Sequence, residues 1–331
     1  MDIRTQGRFT AGGWLALAVA GLTLAFGVGS AQATFPGTNG RLAFAVEKWR
    51  LPDPCRRDIP HGCEPEAFSS SIETVLPSGR GRRVLRAFPV EQGAGPPVWS
   101  PSGKLLTFQQ GSRLAVMRSD GTGARRLRQL TSGDEAPTWS PDGRRLAFTG
   151  GSGIHNWLYT VRRDATALRR VIAQEARAPA WSVTGTIAFV NFTGQRPPYS
   201  RLKAGLYTIR PDRSRLRRLF GRLGGPGPRP DWSPDGSRIA FSPKRHIWTM
   251  RADGGGLRRL TVPTGERTLN IAPTWSPDGK YIAFLRDGDL YVMRSNGRGL
   301  RRVVDALEQD PDHPDRPWAV LSAPSWQPLL R

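Results

Sequence analysis

The tryptophans constrain this chain more than any other feature. PVWSPSG begins at Pro97, PTWSPDG at Pro137, PAWSVTG at Pro179, PDWSPDG at Pro230, PTWSPDG at Pro273 and PSWQP at Pro324. Trp99, Trp139, Trp181, Trp232, Trp275 and Trp326 are thus 40, 42, 51, 43 and 51 residues apart, a period that marks a repeat architecture. The first five are each followed by a short apolar strand: LLTF at 105–108, LAF at 146–148, and IAF at 187–189, 239–241 and 282–284. LAF at 42–44 is a sixth copy with no tryptophan ahead of it.

A second strand then follows in each unit (72–79, 114–121, 158–164, 206–212, 247–254, 290–297), with β-formers that end in turn residues. A third element carries an arginine pair: 82–83, 125–126, 169–170, 217–218, 258–259 and 301–302. With the W-S-P segment this makes four short antiparallel strands per unit, repeated six times. The predicted fold is all-β, a six-bladed β-propeller of four-stranded antiparallel blades. The strand count closes only if PSWQP completes the first unit, so the C-terminal strand is expected to seal the ring and leave no open sheet edge. Helical solenoids are disfavoured, because no unit sustains a 3.6-residue apolar period.

The repeat residues read as scaffold. Pro-Asp-Gly after Trp-Ser is a turn: proline fixes one φ, aspartate bonds nearby backbone and glycine accepts positive φ. This assigns Asp142, Gly143, Asp235, Gly236, Asp278 and Gly279 to structure. Ser102 replaces the aspartate in one copy and Val183-Thr184-Gly185 the triplet in another, which excludes a ring of six catalytic carboxylates. The six repeat tryptophans are expected between adjacent blades, each indole N–H needing a partner.

With these motifs in hand, the chain resembles the TolB-type propeller family, whose repeat reads P-x-W-S-P-D-G-(K/R)-x-I-A-F followed by I/L-Y-x-M-x-x-D-G. Residues 137–148, 230–241 and 273–284 match the first half, and 114–121, 247–254 and 290–297 the second. The resemblance spans about 38 to 328. It implies the propeller fold and an envelope role through partner proteins at a propeller face; the separate N-terminal α/β domain of TolB has no counterpart in the repeat region.

The first 33 residues have the parts of an export signal: Arg4 and Arg8, an apolar run from Trp14 to Val28, then Ala31-Gln32-Ala33 as a cleavage site. Residues 1–33 are therefore expected to be a signal peptide and 34–331 one propeller domain, with Thr34 as the mature terminus. The other reading, a retained anchor, meets the difficulty that 15 apolar residues reach about 22 Å against a hydrocarbon layer of about 30 Å. No later segment suggests a membrane span. Export to a bacterial periplasm, envelope or medium places Cys55 and Cys63, the two cysteines, in an oxidising compartment, where a small disulfide-closed loop is the natural reading. Free thiols or a metal remain the other readings.

The formal charge is +22, and removal of Asp2, Arg4 and Arg8 leaves it at +21. Twelve of the arginines lie in the repeated pairs, so the charge is spread by symmetry. One arginine of each pair is expected to face solvent and the other to run its stem along the sheet. Arg83, Arg126, Arg170, Arg218, Arg259 and Arg302 form a candidate basic perimeter that would attract an anionic polymer or an acidic protein. Specific nucleic-acid binding is disfavoured, since no recognised motif or clustered basic stripe is present. Trp49 and Trp318, in irregular segments, are candidate contact surface. The departures from a minimal blade, at 47–71, 191–205, 221–229 and 305–323, are where recognition is expected.

Neither G-x-S-x-G nor H-E-x-x-H occurs. His61, His155, His246 and His313 lie in different segments, and the spacing of Asp310, Asp312, His313 and Asp315 fits no standard metal site. No cofactor, metal or catalytic residue is assigned. The reading with most weight is a monomeric, exported, non-catalytic scaffold that binds an envelope or secreted protein or an anionic cell-surface polymer. Its competitor is a propeller hydrolase or lyase acting on polysaccharide or peptide, recognisable by carboxylates with perturbed pKa values at the channel mouth.

Overall fold

A computed structural model describes residues 32–50, 66–127, 130–131, 133–151, 156–191, 202–221, 229–262, 268–306 and 318–330, with the backbone alone at 32, 33 and 134. Six antiparallel sheets are arranged as blades. From the innermost strand outward, blade 3 is Asp134–Trp139, Arg145–Gly150, Trp157–Arg162 and Arg169–Ile172. Blade 4 (Arg177–Trp181 to Arg217–Phe220), blade 5 (Asp231–Trp232 to Arg258–Arg259), blade 6 (Asn270–Trp275 to Arg301–Val304) and blade 2 (Val98–Trp99 to Arg125–Arg126) repeat the order.

Blade 1 closes the ring as the repeat count requires. Its second strand, Thr38–Arg50, pairs antiparallel with Ser325–Leu329 over one half and with Trp318–Leu321 over the other. Leu42 faces Trp326, and Trp49 faces Trp318. Gly103 shows how tight this closure is: it has φ +67, and a Cβ there would sit 2.0 Å from the Pro328 carbonyl oxygen.

Alternation along the L/I-A-F strands explains the packing between blades. Leu or Ile and Phe point to one face, and Ala to the other. In blade 4, Ala180 and Ala188 meet Trp232, Ile239 and Phe241 of blade 5. Ala240 of blade 5 meets Trp275, Ile282 and Phe284 of blade 6, and Ala43 and Ala45 of blade 1 meet Trp99, Leu106 and Phe108 of blade 2. Each blade therefore has one small face and one large face, and the indole of the next blade fills the room left by alanine. Burial on both faces is why these strands are apolar throughout rather than alternately polar.

The connectivity gives the ring two unlike faces. Innermost strands run towards the W-S-P-D-G turns, and the turns between third and outermost strands lie on the same side; we call this the turn face. The other connections, between second and third strands and from one blade to the next, share the opposite loop face. The ends that flank 51–65, 152–155, 192–201, 222–228, 263–267 and 307–317 all sit on the loop face. Cys55, Cys63, His61, His155 and His313 fall in these segments, outside the described residues.

One expectation is corrected in blade 1, where the arginine pair is one residue out of step. Arg83 faces Thr74, as Arg125 faces Val116 and Arg169 faces Thr160, so Val84, not an arginine, faces Glu73 where Arg126 faces Ala115 and Arg170 faces Tyr159. The extra residue lets Arg82 reach Glu73 at 2.7 Å and lie over the Phe44 ring. Both members are exposed at 125–126, 169–170, 217–218, 258–259 and 301–302, because the outermost strand has no blade beyond it; in blades 3 and 6 the second arginine still lies against its own sheet, Arg170 over the Trp157 ring and Arg302 on Asp289.

Candidate binding face at the loop end of the channel

The turn face is occupied by its own geometry. In blade 3 the Ser140 hydroxyl donates to Asp142 at 2.5 Å, Asp142 accepts the Arg144 N–H at 3.0 Å, and Gly143, at φ +65, closes the turn by donating to the Ser140 carbonyl. Ser233-Asp235-Gly236 and Ser276-Asp278-Gly279 repeat the pattern. Partial burial raises the Asp142 and Asp235 carboxyls, but these donors outweigh it and hold both below the usual range. A cleft of about 430 Å³ opens between blades 5 and 6 on this face, and its Asp235 and Asp278 are already committed to the turns.

The repeat tryptophans are buried at 0–4 % exposure. Trp139 donates its indole N–H to the Val98 carbonyl and Trp232 to that of Ala180, each from the preceding blade. The indole N–H groups of Trp99, Trp181, Trp275 and Trp326 find no partner among the described residues. Trp318, expected on the surface, is 7 % exposed, because it closes blade 1 opposite a half-buried Trp49.

At the loop end the innermost strands begin with charged and amide side chains that differ from blade to blade. Arg177 of blade 4 donates to Glu175 at 2.8 Å; the other Glu175 oxygen accepts the Asn156 backbone N–H, and Asn191 donates to the Glu175 carbonyl. Glu135 is the second residue of the neighbouring innermost strand. Burial raises its carboxyl, Arg177 opposes that and the negative charge of Glu175 adds to it; Oε2 is buried with no partner among the described residues. In blade 6, Arg286 donates to the fully buried Asn270 at 2.8 Å, while Arg302 bridges Asp289 and Asp305 at 3.1 and 3.2 Å. Burial also raises Glu47 of blade 1 and, with Arg259, lowers His246. A pair of glutamates sharing one arginine suits recognition of a cationic or hydrogen-bonding group, and a protonated Glu135 is a potential proton donor.

Inside the channel lies a carboxylate that the repeat concealed. The position before each tryptophan is Val98, Thr138, Ala180, Asp231, Thr274 or Ser325, so blade 5 alone places an ionisable group there. Asp231 is fully buried; Oδ2 accepts the Trp275 N–H at 2.6 Å and the Thr34 hydroxyl at 2.8 Å. Burial pushes its carboxyl well above the usual range, against these donors. The varied position of P-x-W is the available signal, set among residues that are constant from copy to copy.

A closed ring of six blades, three of them with Trp-Ser-Pro-Asp-Gly inner hairpins, is a six-bladed β-propeller with the fold of TolB-type propellers. Solved structures agree. TolB-type chains from Agrobacterium tumefaciens and Acinetobacter baumannii superpose with a TM-score of 0.62 at 19 % and 18 % identity, covering 86 % and 87 % of this chain and 99 % and 67 % of theirs. A chain of a nidogen/laminin complex gives the same TM-score at 12 % identity, covering 88 % of this chain and 100 % of its own. At these identities the likeness is one of fold. No family model matches the sequence, and no curated protein matches it. Among the described residues no helix is long and apolar enough to cross a membrane, and no group of three or more His, Cys, Asp or Glu is placed to hold a metal ion.

Proposed function

We propose that the protein is an exported bacterial propeller, delivered to the periplasm, envelope or medium, that binds an envelope or secreted protein through its loop face without catalysing a reaction. The observation that carries this reading is that the long departures from the repeat have their ends on one face. Loops on a rigid frame are the usual seat of recognition. The TolB-like fold supports the same reading by analogy. The exposed outer arginines add long-range attraction for an acidic partner, which salt weakens. Passing an envelope extract over the chain beginning at Thr34 and eluting with salt tests this. One defined protein retained beyond about 0.5 M salt supports a specific face, because screening at that strength removes diffuse attraction. Complete elution at low salt, with wall polymer as the main ligand, overturns it in favour of a polyanion binder.

A hydrolase or lyase acting at the channel mouth is the second reading, favoured by the unpartnered Glu135 oxygen and the raised carboxyl it belongs to. Turnover of cell-wall polysaccharide or peptide that Glu135→Gln abolishes, with folding intact, would replace the scaffold reading.

A further inference from the structure

The N-terminal segment is part of the propeller interior. Gln32–Ala33 pairs parallel with Asp231–Trp232, adding a fifth strand inside blade 5. Thr34 is 3 % exposed and donates its hydroxyl to Asp231 Oδ2 and the Trp275 carbonyl, at 2.8 and 2.9 Å. Phe35, also 3 % exposed, packs in the cluster holding Trp139 and Trp181. Gly37 donates to the Pro277 carbonyl on the turn face, so the chain leaves the channel there. Parallel pairing runs Gln32–Ala33 in the direction of Asp231–Trp232, from the loop end towards the turn face.

A sequence reading and a structural observation meet at this point. The Ala31-Gln32-Ala33 motif is read as an export cleavage site ending at Ala33, and the structure places a buried carboxylate with an unsatisfied oxygen beside Thr34. Asp231 Oδ1 finds no hydrogen-bond partner among the described residues, the Thr274 hydroxyl and the adjacent Trp232 N–H giving the carboxyl weaker support. No charged side chain among the described residues acts on it.

We infer that cleavage places the new α-ammonium group of Thr34 against Asp231 in the channel, so that leader removal creates a buried ion pair locking the N-terminus to blades 5 and 6. Hydrolysis of the Ala33–Thr34 peptide bond by the export peptidase consumes one water. The carboxylate departs with the leader, and the amine on Thr34 takes up a proton at neutral pH. Asp231 then gains a counter-ion in place of the strand Gln32–Ala33. Thr274 and Trp275 beside it are uncharged, and Arg229, two residues before Asp231, is lowered to about 10 by burial alone, so the terminus is the cation the site lacks. The processed end thereby becomes an internal tie of the ring. This inference rests on the cleavage reading.

Intact mass of the exported protein identifies the mature terminus. In parallel, two full-length mature chains are prepared, one beginning at Thr34 and one retaining Gln32–Ala33, each with and without Asp231→Asn. The Thr34 chain should melt about 6–10 °C lower with Asp231→Asn, the scale of a broken buried pair, and the extended chain by no more than about 2 °C. Reductive methylation of the wild-type Thr34 chain gives a readout that does not depend on the variant folding. Its α-amine should label with a midpoint above about pH 9, against about 8 for a free terminus. An ordinary midpoint, or equal effects of Asp231→Asn in both chains, overturns the ion pair. A mature terminus other than Thr34 overturns the processing step, and the Thr34 chain then still decides the ion pair.

Discussion

The two faces of this propeller are built from the same blades and obey different rules. On the turn face, blades 3, 5 and 6 satisfy Ser, Asp and Gly in one pattern of hydrogen bonds, and the carboxylates there are consumed by the backbone. On the loop face Glu175–Arg177, Asn270–Arg286 and Asp289–Arg302 belong to one blade each, and Glu135 keeps an oxygen without a partner. Repetition marks residues that build the frame, and departure from it marks residues available for something else. Asp231 is the sharpest departure, one carboxylate in a series otherwise of Val, Thr, Ala and Ser.

The contrast breaks first at the frame. Trp139→Ala removes a fully buried indole and its bond to Val98, and should cost about 3–5 kcal/mol in denaturant unfolding. Ala188→Leu, directed at the face that receives Trp232, should cost about 1–3 kcal/mol by overpacking, although it adds apolar surface. An equal or higher stability for either variant would contradict the small-face, large-face packing.

Carboxylates of the two faces should respond to pH with opposite signs. Asp235 is held below its usual range, so its contribution is present above about pH 4 and is lost as pH falls. Asp235→Ala, which removes acceptors for Ser233 and Ser237, should cost about 1 kcal/mol at pH 7 and less in acid. Glu135 is raised, so folding is favoured with the proton on and its contribution declines as pH rises from about 4. Glu135→Gln should therefore leave stability at pH 7 unchanged or higher, as urea titrations at pH 4 and pH 7 would register. Asp231, raised by burial, should follow the sign of Glu135 in the chain that retains Gln32–Ala33.

The smallest effect concerns the turns between third and outermost strands. Gly123, Gly256 and Gly299 take positive φ in blades 2, 5 and 6, whereas blade 4 places exposed Arg215 there at φ +56. Arg215→Gly should stabilise by about 0.5–1 kcal/mol, since the left-handed conformation is costly for a residue with a Cβ. A melting temperature that falls would show that the arginine makes a compensating contact.

The frame was legible because it is written several times. Tryptophan spacing fixed the blade count, and the missing first W-S-P required closure by the segment around Trp326. The misreadings arose where a single copy departed from the average: Arg82–Arg83 looked like the other pairs, yet Glu73 draws Arg82 out of step. Trp318 looked like a loop residue because its strand lacks the repeat motif, although it completes blade 1 beside Trp49. Glu135, Glu175 and Arg177 carry no motif, since a mouth assembled from different blades has no signature along one stretch of chain. Their one trace is that the residue two before the proline of P-x-W is Glu135 in one blade, Arg177 in the next and uncharged in the others.

The most direct test of the loop-face assignment is amide hydrogen exchange of the chain beginning at Thr34, alone and saturated with the partner retained from envelope extract. Protection is predicted at the loop-face ends near Glu135, Asn156, Arg177 and Asn191, with the turns at 140–143, 233–236 and 276–279 unchanged. Protection confined to those turns, with the loop face unaffected, would contradict the account.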